Sequence, residues 1–101
     1  GGTTLCYDVA FNQYFQSSME DIKKAVNEIN KRLLSDPFGY VSLNDFYDEL
    51  NIDHIRVGDE VGWKIGDGLI DLDFDTQMAS DGHTPCLVID YLVTPKRGYS
   101  S

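Results

Sequence analysis

The sequence predicts an α+β domain in which two helices pack on a small antiparallel β-sheet, with an N-terminal β-arm or hairpin. Apolar residues recur at helical intervals in two segments before residue 51 and alternate with polar residues after residue 61. Clusters of Gly and Pro separate these segments. Because the chain has 101 residues, 42% of them apolar, we expect one domain, residues 1–101, with one core.

The N-terminal segment, residues 3–15, mixes aromatic side chains with a polar centre. This composition favours a short hairpin or an extended arm that lies against the core. We expect Gly1 and Gly2 to be a remnant left by cleavage, which would make the chain an excised domain. At the other end, residues 96–101 are polar and are expected to form a disordered tail.

The first helix is predicted over residues 17–34, because Ser17 and Glu20 have the spacing of a capping box. Residues 35–39, Ser-Asp-Pro-Phe-Gly, end this helix, since proline disfavours helical geometry in the residue before it. The core-facing stripe consists of apolar residues at alternating intervals of three and four: Met19, Ile22, Val26, Ile29 and Leu33.

The second helix is predicted to begin after Ser42, which caps it together with Asp45, and to end near Asn51. Its apolar positions share one side of a helix, so this side is expected to cover the core while the acidic residues face solvent. These positions are Leu43, Phe46, Tyr47 and Leu50.

Alternating polarity after Val61 predicts three β-strands. The first two, residues 61–65 and 70–75, flank a Gly-Asp-Gly turn at residues 66–68 and are expected to pair as a hairpin. The third, residues 86–93, has apolar residues on both faces, which indicates that it is the best covered of the three.

The net charge of −9 is unevenly distributed: residues 1–35 carry four acids and four bases, whereas residues 36–90 carry thirteen acids and two bases. Such a surface repels phosphate backbones, so we expect no direct nucleic-acid binding and leave a basic protein partner open. Two cysteines without a Cys/His cluster favour a reduced, cytoplasmic setting, and we expect no cofactor. No apolar run has the length of a membrane span.

Four acids of the strand region form a group that we term the Asp ladder: Asp71, Asp73, Asp75 and Asp90. Carboxylates two positions apart on a strand project to the same side, so oxygen ligands could converge on Ca²⁺ or Mg²⁺. An EF-hand that starts at Asp71 is excluded, because Thr76 replaces the required glycine. The favoured interpretation is a charged outer face that opposes edge-to-edge pairing of the sheet.

A second group of acids surrounds the second helix and the loop after it, and we term it the acidic rim: Asp45, Asp48, Glu49, Asp53, Asp59 and Glu60. These residues fall on the polar side of an amphipathic helix and in a loop, so acid–base catalysis by a buried carboxylate pair is disfavoured. A solvated face is the plainest interpretation. As a functional surface, the rim is the candidate contact site for a basic protein partner.

Conventional nucleophiles and bases do not form a catalytic set, and we expect no catalytic residues. His83 and Cys86 are three residues apart, but no neighbouring cation would stabilise a thiolate, so Cys86 is expected to be a buried structural thiol. His54 stands apart from both in the sequence. The large aromatic residues are expected to form the core rather than a ligand pocket: Phe38, Tyr40, Phe46, Tyr47, Trp63, Phe74 and Tyr91.

Four blocks carry a family resemblance: YDVAFNQYFQSSME (residues 7–20), YVSLNDFYDEL (40–50), GDEVGW (58–63) and CLVIDYLVTP (86–95). They resemble the C-terminal globular region of an uncharacterised family found in tailed bacteriophages, prophages and other mobile elements of Gram-positive bacteria. The resemblance implies an apolar segment upstream of this region, and therefore a soluble domain tethered to a membrane. It implies no known activity and no catalytic residues.

From these observations we expect a non-enzymatic protein-interaction domain of a phage or prophage accessory protein in the host cytoplasm. One alternative is a counter-defence protein that acts as an acidic DNA mimic or sequesters a host factor. That alternative requires carboxylates spaced like phosphates along one surface. A second alternative is a metal-dependent enzyme that uses the Asp ladder.

Overall fold

The computed structural model describes residues 2–101, so Gly1, one of the two glycines expected to be a remnant, lies outside the described residues. Two 3-10 turns, Arg56–Asp59 and Ile65–Asp67, flank the fourth strand. The other elements of the described residues are β1 (Thr4–Asp8), β2 (Gln13–Ser17), α1 (Met19–Ser35), β3 (Tyr40–Ser42), α2 (Leu43–Leu50), β4 (Val61–Lys64), β5 (Leu72–Met78), β6 (Pro85–Tyr91) and β7 (Lys96–Arg97).

The strands form two sheets instead of the single small antiparallel sheet expected from the sequence, so the predicted fold is wrong in its sheet. The main sheet has the order β2-β1-β6-β5 and is mixed, because β1 runs antiparallel to β2 but parallel to β6. The small sheet, β3-β4-β7, is antiparallel. The result is an α+β fold whose helices pack on the four-stranded mixed sheet. Periodicity identifies strands but does not say which of them pair.

The N-terminal segment forms the hairpin β1–β2, and β1 lies in the interior of the main sheet rather than as an arm against the core. Its parallel partner is β6, so the sheet joins the two ends of the chain. β6 also pairs with β5. β6 is therefore an interior strand of the main sheet, like β1.

The predicted hairpin of residues 61–65 and 70–75 is wrong, because β4 belongs to the small sheet and β5 to the main sheet. Asn30 of α1 holds the start of β5: its side-chain amide donates to the Ile70 carbonyl at 2.9 Å and accepts from the Ile70 N–H at 2.8 Å. Gly68, with φ +98°, reverses the chain before this anchor. The segment between the two strands is thus tied to a helix and cannot close a tight hairpin.

The cap of α1 lies one residue later than predicted, because Ser18 rather than Ser17 accepts from the Asp21 N–H at 3.1 Å, and the helix begins at Met19. Ser17 is the last residue of β2 and is buried. The buried stripe of α1 contains Ala25, whereas Met19 is exposed and Val26 only half-buried. The other predicted stripe residues are buried as expected: Ile22, Ile29 and Leu33.

α2 confirms the prediction made for it. Ser42 accepts from the Asp45 N–H at 3.0 Å, and the Asp45 carboxylate accepts from the Ser42 N–H at 2.9 Å, which completes a capping box. Asn51 ends the helix in the left-handed conformation, which asparagine tolerates. The four predicted apolar residues are all buried: Leu43, Phe46, Tyr47 and Leu50.

Two glycines of the GDEVGW block allow close contacts. A Cβ atom at Gly58 would lie 2.0 Å from Oδ1 of Asn44, whose side chain accepts from the Ile55 N–H and so fixes the loop after α2. A Cβ atom at Gly62 would lie 2.2 Å from the Val41 carbonyl oxygen and 2.8 Å from the ring of Tyr99. These contacts explain why glycine occupies both positions.

Residues 96–101, expected to form a disordered tail, contain β7, which pairs with Val61 and Gly62 of β4. The hydroxyl of Tyr99 donates to the Asp59 carbonyl at 2.8 Å. The C-terminal segment is therefore part of the small sheet and covers Gly62.

Replacing Gly62 by Ala should lower the free energy of unfolding by about 2 kcal/mol, because the added methyl group clashes with backbone and ring atoms that cannot both move away. The matched control is Gly66→Ala, where an added Cβ meets no atom within 4 Å and an effect of at most about 0.5 kcal/mol is expected. Urea unfolding followed by Trp63 fluorescence measures both values. Equal stabilities for the two variants would contradict the packing described for Gly62.

Candidate functional site

A buried carboxylate lies on the inner side of the main sheet, at the end of β1. Asp8, the last residue of β1, has no exposed surface. Its Oδ2 atom accepts hydrogen bonds from the hydroxyls of Tyr47 and Tyr91, both at 2.6 Å. Its Oδ1 atom accepts from the N–H groups of Ala10 and Phe11, at 3.1 Å and 3.3 Å. Asp8 thus connects the β1–β2 turn, α2 and β6.

The environment of Asp8 shifts the pKa values of all three side chains upward. Burial raises the pKa of the Asp8 carboxyl, and the hydrogen bonds from Tyr47 and Tyr91 oppose that rise. Burial raises the pKa of both tyrosines as well, and the neighbouring Asp8 adds to it. Both hydroxyls therefore keep their protons and act as donors to Asp8. Asp8 is not among the site residues predicted from the sequence. The available signal is that Asp8 lies two positions after the inward-facing Cys6 on β1, so the two side chains share a face.

Aromatic rings pack around this carboxylate. The ring of Tyr91 lies 5.7 Å from Trp63, 6.3 Å from Phe46 and 6.0 Å from Phe11, measured between centroids. The indole of Trp63 donates to the Val93 carbonyl at 2.6 Å. The prediction that the large aromatic residues form the core is confirmed for Phe46, Tyr47, Trp63 and Tyr91. It is wrong for Phe38, which is 78% exposed in the loop after α1, while Tyr40 and Phe74 are half-buried.

Within residues 2–101, no helix packs on the second side of the main sheet, and we term this side the open face. Side chains of paired residues share a face, so the register of the four strands assigns each of them. Apolar groups run along its middle, and the rings of Tyr7 and Tyr14 lie 4.4 Å apart. The residues of the open face are Leu5, Tyr7, Tyr14, Gln16, Asp73, Asp75, Gln77, Cys86, Val88 and Asp90.

Three residues of the Asp ladder, Asp73, Asp75 and Asp90, lie on the β5 and β6 side of the open face. Asp73 pairs directly with Asp90 across the β5–β6 ladder, and Asp75 pairs with Val88. Like charges placed opposite each other destabilise a sheet unless a cation compensates them. None of the ion pairs within residues 2–101 involves a ladder carboxylate. Within the same residues, no three His, Cys, Asp or Glu side chains converge as a metal site requires.

Two ladder residues also close the free edge of β5. The Leu92 N–H binds the Asp71 carbonyl at 3.1 Å, so odd-numbered residues of β5 face β6 and even-numbered residues face the edge. The edge N–H of Leu72 donates to the Asp71 carboxylate, and that of Thr76 donates to Asp75, both at 2.9 Å. These carboxylates therefore occupy donors that another strand would need.

The structure divides the acidic rim. Asp45 belongs to the capping box and lies 3.6 Å from Arg32, while Asp48 contacts His54 at 2.6 Å. The hydrogen bond to Asp48 raises the pKa of His54, and the charges of Asp59 and Asp45 add to this shift. Two of the rim acids, Asp45 and Asp48, thus each lie beside a basic side chain of the same chain.

The other rim acids occupy separate places. Glu60 lies 3.4 Å from Arg97, and Asp59 accepts from the Asn44 amide at 3.2 Å. Glu49 lines a groove of about 340 Å³ between β2, α1 and α2, and Asp53 lines a second groove beside β2. Four of the six rim acids thus already bind a backbone N–H, an amide or a cation of the same chain.

The remaining nucleophile candidates lie apart from one another. Cys86 is buried on the open-face side and Cys6 is buried on the inner side, and burial raises the pKa of both thiols. The structural role predicted for Cys86 agrees with this placement. His83 lies in the exposed β5–β6 turn, whose backbone N–H groups at His83 and Thr84 donate to Asp81. His54 is exposed on α2's side of the molecule, beside Asp48.

These features define a small α+β domain with a mixed sheet, a buried carboxylate hub and one uncovered sheet face. The chain belongs to the family of unknown function DUF6353, which matches residues 1–100. No curated protein and no solved structure matches it. Within residues 2–101, neither helix has the length and apolar character needed to cross a bilayer.

Replacing both Asp71 and Asp75 by Ala should cause concentration-dependent self-association, because the edge N–H groups of Leu72 and Thr76 become available to a second strand. Sedimentation velocity measures this association. The Asp71→Asn and Asp75→Asn double variant removes the same charge but keeps the acceptor oxygens, so it should remain like the wild type. If the Asn variant associates as strongly as the Ala variant, charge rather than hydrogen bonding protects the edge.

The Asp8→Asn variant tests the buried carboxylate through pH. Since the folded-state pKa of Asp8 lies above 3.8, the folded chain binds this proton more tightly than the unfolded chain does. The contribution of Asp8 to stability is therefore largest below pH 3.8 and falls as the pH rises through the folded-state pKa. The wild type should gain stability relative to Asp8→Asn when the pH is lowered from about 7 to about 4.

Urea unfolding at several pH values gives the free energy of unfolding of each protein. Subtracting one value from the other at each pH cancels the effect of the other titrating acids. The control is Asp53→Asn, at an exposed position. The prediction is contradicted if the wild type gains no stability relative to Asp8→Asn on acidification. The four hydrogen bonds to the carboxylate would then lower the pKa of Asp8 at least as much as burial raises it.

Proposed function

We propose that this chain is a non-enzymatic protein-interaction domain and that its contact surface is the open face of the main sheet. The observation that carries the proposal is the one-sided covering of this sheet: both helices pack on its inner side. A sheet in a globular domain buries an apolar face against another layer. The open face retains apolar and aromatic groups without such a layer, including Tyr14, which is 55% exposed.

The open face replaces the acidic rim as the proposed contact site. Most rim acids serve the chain itself, as caps of α2 and partners of Arg32, His54 and Arg97. A side chain with an internal partner loses that interaction when it binds another molecule. Within residues 2–101, none of the ion pairs involves an acid of the open face, although Asp75 and Asp90 accept hydrogen bonds from neighbouring backbone N–H groups, so a cation of a partner displaces no cation there.

We further propose the biological setting that the sequence resemblance implies. The domain acts as part of a phage or prophage accessory protein in the host cytoplasm, and a segment upstream of it holds it at the membrane. Membership of a family of unknown function over residues 1–100 is compatible with this setting. The genes next to those of the family members test it: phage structural, lysis or defence genes support the proposal, and housekeeping operons contradict it.

The test of the contact site is capture of a partner from a lysate of a Gram-positive host, compared between variants. Val88→Arg places a long charged side chain in the middle of the open face, beside Asp75. The control is Asp48→Lys with Glu49→Lys on the rim; Asp45 stays unchanged because it caps α2.

We expect a protein that binds the wild type and the rim variant and that Val88→Arg releases almost completely. Circular dichroism confirms that each variant is folded. Loss of the partner from the rim variant but not from Val88→Arg would contradict the open-face assignment. If the wild type captures no protein that either variant fails to bind, the interaction function is contradicted.

A further inference from the structure

We propose that the partner presents a basic amphipathic helix to the open face, an inference that rests on the proposed function. In this arrangement the apolar side of the helix packs on the middle of the open face, and its Lys or Arg residues border β5. The charge distribution of the main sheet, the spacing of its carboxylates and the layer architecture of the domain support this choice.

The main sheet supplies negative charge only. Its four strands, TLCYD, QYFQS, LDFDTQM and PCLVIDY, contain no Lys, Arg or His. The charged side chains on the open face are Asp73, Asp75 and Asp90, all exposed and all on the β5 and β6 side. The partner that complements this face therefore carries cations along one border and apolar groups beside them.

The acids form a compact group with a defined spacing. Asp73 and Asp75 are two positions apart on one strand, which separates them by about 7 Å. Asp90 is the direct cross-strand neighbour of Asp73, with the two Cα atoms about 5.5 Å apart. On an α-helix, residues four positions apart rise by about 6 Å on one side, so two basic residues at this interval reach both members of the Asp73 and Asp75 pair.

A helix fits this face better than an added strand or a second copy of the chain. The carboxylates of Asp71 and Asp75 occupy edge donors of β5, which disfavours strand addition. A second copy of the chain also carries a net charge of −9, so it would be repelled by a face on which two carboxylates already oppose each other. A helix on the open face completes a three-layer arrangement, with helices on both sides of a sheet.

The experiment uses a synthetic probe peptide in place of the partner. The probe is an 18-residue helix-forming peptide with leucines on one side and lysines along one flank, and its control carries glutamates instead of lysines. Calorimetry gives the affinity, and amide chemical-shift mapping gives the site. Two variants with the same change of charge are compared: Asp73→Asn with Asp90→Asn on the open face, and Asp48→Asn with Glu49→Gln on the rim.

We expect the lysine probe to shift the amide signals of Leu5, Tyr7 and Val88, and the glutamate control to shift none. Neutralising Asp73 and Asp90 should weaken the affinity about tenfold, which corresponds to two exposed ion pairs near the upper end of their usual strength. The rim variant should bind within about twofold of the wild type. Equal losses in both variants would show general charge attraction and would overturn the proposal.

Two further outcomes are decisive. If sedimentation equilibrium shows a dimer that Val88→Arg dissociates, the occupant of the open face is a second copy, and the basic helix is wrong. If a captured host partner is lost with Val88→Arg but keeps its affinity for the Asp73→Asn and Asp90→Asn variant, the interaction function stands and the basic helix is again wrong. The failure of this inference is thus separable from failure of the proposed function.

Discussion

The buried carboxylate of Asp8 is the interaction on which the rest of the structure depends. A carboxylate without exposed surface is costly unless donors surround it, and Asp8 has four of them. Two come from the turn after β1, one from Tyr47 of α2 and one from Tyr91 of β6. Removing a single donor leaves a buried acceptor short of a partner, at a cost of about 1–3 kcal/mol. The hub therefore fixes the relative positions of three elements at once.

Fixing Tyr47 and Tyr91 also decides which side of the main sheet is covered. Both tyrosine side chains reach Asp8 from the inner side of the main sheet. Phe46 and Trp63 pack against the ring of Tyr91 on that side. α2 is consequently committed to the inner side, as is α1 through the bonds of Asn30 to residue 70. With both helices on one side, no further helix of the described residues is left for the other side. The open face is thus a consequence of how the core is assembled.

Local features of this fold could be predicted from the sequence, whereas pairings between distant segments could not. The capping box and apolar side of α2 depend on residues within eight positions, so they were read correctly. The main sheet requires β1 to pair with β6, and the periodicity of the sequence does not indicate which strands pair. A hairpin was wrongly predicted around residues 66–68, because alternating polarity on both sides of a glycine-containing turn is the usual pattern of a hairpin. Asn30, which prevents it, is distant in sequence from that turn.

The same limit applies to the candidate sites. The acids of the rim are close in sequence, but α2, the following loop and β7 use Asp45, Asp59 and Glu60 for internal contacts. The alternation of the Asp ladder was predicted correctly, and Asp71, Asp73 and Asp75 are exposed. Its direct pairing of Asp73 with Asp90 requires the register of β5 on β6, which the sequence does not contain. Asp8 was missed because its burial follows from β1 being an interior strand.

Carboxylates have different roles at the edge of the main sheet and on its open face, and these roles constrain how the sheet can bind a partner. At the edge of β5, carboxylates bond to the backbone N–H groups of Leu72 and Thr76, so backbone pairing with another chain loses existing hydrogen bonds. On the face, Asp73 and Asp90 oppose each other without a cation from residues 2–101, so a positive group placed there relieves repulsion. Recognition through side chains is therefore favoured over recognition by strand addition. A partner that places cations beside an apolar surface gains both from the charge and from the burial of Tyr7, Tyr14 and Val88.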